Sequence, residues 1–172
     1  MSLVAVPPLR RETAMATGQR RRIARADDSE DSVPLGIYSG TMFEALGVRM
    51  VGRPPAQPDL MTSLEGVAIG PAEVAVSEHI ASRWFGSEAA ALGQIVKIDA
   101  MLVSMGVEPV PFRISAVFDA EFRGPSSATQ ADVWIPLSAW PDVLLPGQQS
   151  SLLRTLPTRF VGALANDNAP AL

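Results

Sequence analysis

Glycine and proline interrupt this chain often enough to demand many turns. Together they make 28 of 172 residues, and the apolar runs between them are only a few residues each. Such punctuation favours short strands and one- or two-turn helices joined by tight turns. Leu35-Gly-Ile-Tyr38 reads as a strand stopped by Ser39-Gly40. Thr41 is placed to cap a helix over Met42–Leu46, with Glu44 completing a capping box and Gly47 closing it in the left-handed region. Val48–Val51 is a brief extended run. Residues 52–72 hold four prolines and three glycines in quick succession and read as a loop.

Glu73–Val76 alternates as a strand. Ser77 then caps a helix over Glu78–Phe85, closed by Gly86, and a further helical turn over Glu88–Leu92 ends at Gly93. Gln94–Asp99 and Val110–Phe118 alternate again and predict an antiparallel hairpin with a long tip around Gly106–Pro109. Asp119–Gln130 is a polar loop and Asp132–Ile135 a strand stopped by Pro136. Ser138 is placed to cap a short helix over Ala139–Leu145. Leu152–Leu156 reads as helical and Arg159–Leu164 as a last strand. The order predicts an α+β domain: a mixed sheet carrying short helices.

Residues 1–31 differ in charge. Arg10, Arg11, Arg20, Arg21, Arg22 and Arg25 form a basic block against Glu12, and Asp27, Asp28, Glu30 and Asp31 follow as an acidic one. Opposed charge blocks with few apolar residues predict a disordered tail over 1–31, with an edge strand through Arg22–Arg25 as the alternative. The domain proper then spans 32–165, and 166–172 frays.

Composition excludes much chemistry. Cysteine is absent and His79 is the one histidine, so disulfides, thiolate sites and histidine-rich metal sites are out. The formal net charge is −4 and the sequence pI about 5.0, which argues against a general nucleic-acid binder. No run reaches the roughly 20 apolar residues of a membrane helix. The first ten residues make no signal peptide, because Pro7 and Pro8 break their short apolar run and the charges follow it.

Candidate reactive groups read as structural. Ser77 and His79 point in different directions on a helix, so Ser77 is a cap and His79 a surface residue. Asp119 and Glu121 read as a solvated loop with a local ion pair to Arg123. The acidic block at 27–31 lacks the spacing of a calcium loop. Trp84, Trp134 and Trp140 read as core anchors rather than a stacking platform. No catalytic, metal-binding or cofactor-binding residue is assigned, and no cofactor is expected.

Three segments carry a family resemblance. They are Gly40-Thr-Met-Phe-Glu-Ala-Leu-Gly-Val48 with Gly52-Arg53; Val74–Ser77 with Phe85-Gly86 and Leu92-Gly93; and Phe122-Arg-Gly-Pro125 with Asp132-Val-Trp-Ile-Pro-Leu137. In this order, over residues 33–145, the chain resembles the MacB-like periplasmic core domain of ABC transporter permeases, closest to the duplicated permeases. The motif residues Gly40, Phe43, Leu46, Gly47, Ser77, Phe85, Gly86, Leu92, Gly93, Phe122, Gly124, Trp134 and Pro136 are then turn formers and apolar anchors.

The resemblance implies a non-enzymatic extracytoplasmic domain that couples a transport cycle to substrates or partner proteins. Read without it, a chain lacking an export signal stays cytoplasmic, as a stand-alone protein-binding module. The family's first strand and helix find no match before residue 33. An incompletely closed core is therefore expected, with a sheet edge or apolar groove open to a partner chain or a second copy.

Overall fold

A computed structural model describes residues 14–38, 41–57, 71–99, 108–125 and 130–139, with side chains from Arg20 onward. Among the described residues, seven strands carry the fold: β1 (Ala14–Ala24), β2 (Glu30–Tyr38), β3 (Met50–Gly52), β4 (Ala72–Ser77), β5 (Ile95–Ile98), β6 (Val110–Phe118) and β7 (Val133–Pro136). Helices α1 (Met42–Ala45), α2 (Glu78–Phe85) and α3 (Glu88–Ala91) are short, and a 3-10 turn spans Leu137–Ala139. This is the mixed α+β architecture that the punctuation predicts.

The sheet runs β3-β6-β4-β7-β2-β1-β5, and β5 pairs back onto β6. Six strands therefore form a continuous ring, with β3 attached outside it along the second half of β6. The β2–β7 and β4–β6 pairs are parallel; the other pairings are antiparallel. The expected β5–β6 hairpin forms, with Ile95 opposite Arg113 and Ile98 opposite Val110.

Two expectations give way together. Residues 14–31 are not a disordered tail: β1 pairs with β2 from Ala14↔Tyr38 to Ala24↔Glu30. The opposed charge blocks are the two arms and the turn of one hairpin. Asp28 takes a positive φ of 60° in that turn, and Arg22 lies 3.5 Å from Glu30 across it. The core is consequently not left open at its first strand. Ile23 and Ala24 pair with Ile98 and Lys97 of β5 and close the ring. Among the described residues, the strand partner of β1 ahead of Ile23 is β2.

Period-two alternation sorts the buried side chains onto two faces. Ile23, Val33, Leu35, Ile37, Val74, Val76, Val96, Ile98, Phe112, Ile114, Val133 and Ile135 form one cluster with Ile80 and Ala81 of α2 and Ala91 of α3. All six strands of the ring contribute to it, so it fills the ring interior. A second cluster, Tyr38, Met42, Phe43, Ala75, Ala116, Phe118, Ala131 and Trp134, lies on the opposite face, under α1. A bulge between Val74 and Ala75 keeps both faces in phase along β4 and β6.

The caps divide. Ser77 accepts from the Ile80 N–H at 3.3 Å, and Gly86 ends α2 at φ 83°. Thr41 makes no side-chain cap bond and sits at φ −103°, so the capping box at α1 does not form; the helix is a single turn held by Phe43. Ser138 lies within the 3-10 turn rather than capping a helix. Expectations for residues 1–13 and for Gly40, the hairpin tip over 100–107, Trp140, the helix beyond Ala139, and the segments 152–156, 159–164 and 166–172 fall outside the described residues.

Candidate functional site

The motif residues meet on the outer face. Phe43 from the first segment stacks edge-on to Tyr38 at 4.9 Å and to Phe122 at 5.7 Å between ring centroids. Phe122 lies 5.6 Å from Phe118 and 6.3 Å from Trp134. Segments some 80 residues apart in sequence thus share one aromatic cluster, whose edge-to-face pairs each add about 0.5–1.5 kcal/mol beyond burial. Trp134 Nε1 donates to the Ala131 carbonyl at 3.2 Å, so its polar edge is satisfied inside the core. Gly36 lies beside Trp134 in the β2–β7 register, and any Cβ there would overlap the indole ring.

The second segment goes elsewhere. Ser77 caps α2 and also donates to Asp132 Oδ1 at 3.3 Å, tying the helix start to β7. Phe85 and Leu92 are partly buried against the ring interior. Gly47, Gly86, Gly93 and Gly124 all take positive φ, and Pro136 sits opposite Tyr38 as the last residue of β7. Leu46 departs from its expected role as an anchor. It is 49% exposed, because α1 ends one residue earlier and turns it outward.

A charged cluster that the sequence did not reveal lies beside the aromatic one. Glu73, in β4, is only 4% exposed. Its Oε1 accepts from Arg53 Nη2 at 2.5 Å and from Arg113 Nη2 at 2.7 Å, and its Oε2 accepts from the Ala56 N–H at 2.9 Å. Arg113 is its register partner on β6. Burial pushes the Glu73 carboxyl up, but the amide, the Arg113 bond and both guanidinium charges outweigh that and hold it below the usual range. The Tyr38 hydroxyl donates to the Pro55 carbonyl at 3.3 Å. Burial, then the charges of Glu73 and Glu44, hold its phenol well above the ordinary value. Residues 53–56 are thereby strapped across the outer face of β4. A glutamate in an alternating strand signals a solvent-facing position, so only its two arginine partners, distant in sequence, could have revealed its burial.

The remaining candidates disperse. Asp119 binds Arg49, not Arg123, and accepts from the Glu121 N–H at 2.9 Å; that amide first, and the Arg49 bond and charge, hold its carboxyl low against partial burial. The acidic block splits. Asp27 faces Arg25, Glu30 faces Arg22, and Asp31 accepts from Trp84 Nε1 at 3.1 Å and pairs with Arg83 at 3.0 Å. Trp84 is half-buried, with the Arg25 guanidinium 5.5 Å from its ring centroid. His79 is exposed. Among the described residues no group of three or more His, Asp or Glu converges as a metal site would require, and no helix there is long and apolar enough to cross a membrane.

The family model of the MacB-like periplasmic core domain matches residues 3–171. The chain belongs to this family. The match takes in β1, which the motif resemblance did not reach. Among solved structures, a domain of a permease protein from Porphyromonas gingivalis superposes with a TM-score of 0.51 at 16% identity, covering 81% of this chain and 56% of that one. The extracellular domain of the noncanonic ABC-type transporter YknZ from Gram-positive bacteria gives a TM-score of 0.41 at 13% identity, covering 84% of this chain and 56% of that one. The first of these likenesses concerns the fold alone. The MacB-like chain spans just over half the length of both solved chains. A comparison with curated proteins finds no match.

Proposed function

We propose that this chain serves as the outer domain of an ABC-type permease, where it works by contact and not by chemistry of its own. The observation that carries this reading is the family match over 3–171, together with the use its motif residues are put to. Phe43, Phe122 and Trp134 build a packed face, and Gly86 and Gly93 close turns. A domain that transmits a conformational cycle needs this kind of rigid body, since packed interiors pass on displacement without deforming. Such a domain couples ATP hydrolysis by a separate cytoplasmic component to substrates or partner proteins outside the membrane.

Fractionating the native host and probing with an antibody raised against this chain tests the proposal. A membrane-bound species of permease size, cross-linked to an ATPase subunit, is the expected result. A soluble species near 18.3 kDa would instead favour a stand-alone binding module that keeps the fold without the transporter.

A further inference from the structure

We infer that Arg53 and Arg113 form a docking point for an acidic side chain of a partner polypeptide. The two guanidiniums share a single carboxylate oxygen, Glu73 Oε1, so they lie side by side. One buried negative charge is set against two positive ones, and the pair keeps a net charge of +1. The burial is lopsided: Glu73 is 4% exposed, whereas Arg53 and Arg113 are 61% and 44% exposed. The carboxylate forms the floor and the guanidiniums form the surface.

Each guanidinium carries five N–H donors in a fixed fork and gives one of them, from Nη2, to Glu73. The outward donors match a planar carboxylate, which arginine binds in bidentate fashion. The site is also preorganised. Arg113 stands on β6 in register with Glu73. Arg53 is held through its own N–H to the Ser115 carbonyl at 3.0 Å, and the strap behind it is pinned by Tyr38 and Glu73. Holding the arginines in place beforehand removes much of the ordering cost of binding.

The inference rests on the reading that this domain works through protein contacts, and it adds the chemistry of one contact. The chain's net charge of −4 makes the test discriminating, because the overall field repels a polyanion and attraction must come from a local site.

The test titrates hexaglutamate into the full chain, followed by amide NMR shifts at low and at physiological salt. Saturable binding mapping to residues 53–57 and 113, weakened at least tenfold in both Arg53→Gln and Arg113→Gln and only partly retained in Arg113→Lys, which keeps the charge without the fork, supports the inference. Each glutamine variant leaves Glu73 one arginine and the Ala56 amide, and matching circular dichroism checks that each folds. Binding that is absent, unchanged in the variants, or matched by inorganic phosphate or by phosphatidylglycerol vesicles overturns it. None of these outcomes depends on transport, so the site and the permease role stand or fall separately.

Discussion

At the residue scale, Gly36 is packed directly beneath the Trp134 indole. A glycine inside a strand run is a sequence sign of close backbone approach, and here the indole occupies the space a side chain would take. Gly36→Ala is expected to cost about 1–3 kcal/mol by overpacking, read from the urea midpoint. Trp134→Phe should relieve part of it, so the double variant falls short of the sum of the singles. Burial also ranks the aromatic residues. Phe43 is 2% exposed, and Phe43→Ala should cost about 3–5 kcal/mol. Phe85 is only partly buried, and its truncation should cost about 1–2 kcal/mol by area alone. Equal losses in thermal melts of the two variants would contradict that ranking. The motif spacing treats both as anchors, because a helical pattern shows which face is apolar and not how deeply it is covered.

Glu73 adds a pH dependence whose sign is fixed by its environment. Its folded value lies below the ordinary 4.5, so the carboxylate contributes stability in full above that value and loses it as pH falls through the folded one. Glu73→Gln should therefore cost about 1–2 kcal/mol at neutral pH, moderated because both guanidiniums reach solvent. The gap between wild type and variant should close on acidification below about pH 4. A gap that widens there would reverse the assignment.

At the scale of elements, legibility follows where the stabilising interactions come from. The α2 helix is bounded by local chemistry, Ser77 at one end and Gly86 at the other, and both ends are readable from the sequence. Gly86 holds φ 83° with open space around it. Gly86→Ala should thus cost only the left-handed backbone penalty, about 1–2 kcal/mol, and lower the melting temperature without altering the circular dichroism of the folded state. Strand β1 was hidden for the opposite reason. Only Ile23 among its described side chains is buried, and Arg22 finds its main partner far along the chain. Arg22 bonds Asp99 at 2.8 Å, 77 residues away. Charge density read locally predicts disorder, whereas charge paired across a hairpin builds a strand. Glu73 escaped detection on the same principle, since its partners sit 20 and 40 residues off.

At the scale of the whole molecule, the ring depends on its narrow seams, and β1–β5, like β4–β7, is only two residue pairs wide. β1 meets β5 through two residue pairs, Ile23↔Ile98 and Ala24↔Lys97, reinforced by the Asp99 N–H donating to the Arg22 carbonyl at 3.0 Å. Both isoleucines are fully buried, so this seam is held from the interior as much as by backbone bonds. Ile23→Ala leaves a cavity at the junction and should cost about 2–5 kcal/mol. In a closed ring the damage crosses the seam: amides of Arg21–Ala24 and of Ile95–Ile98 should both exchange faster, while those of α2, capped by its own residues, keep most of their relative protection. Were β1 merely laid against β2, faster exchange would stop at the hairpin and β5 would be untouched. Hydrogen exchange on this one variant therefore separates a ring that closes from a sheet with an arm beside it.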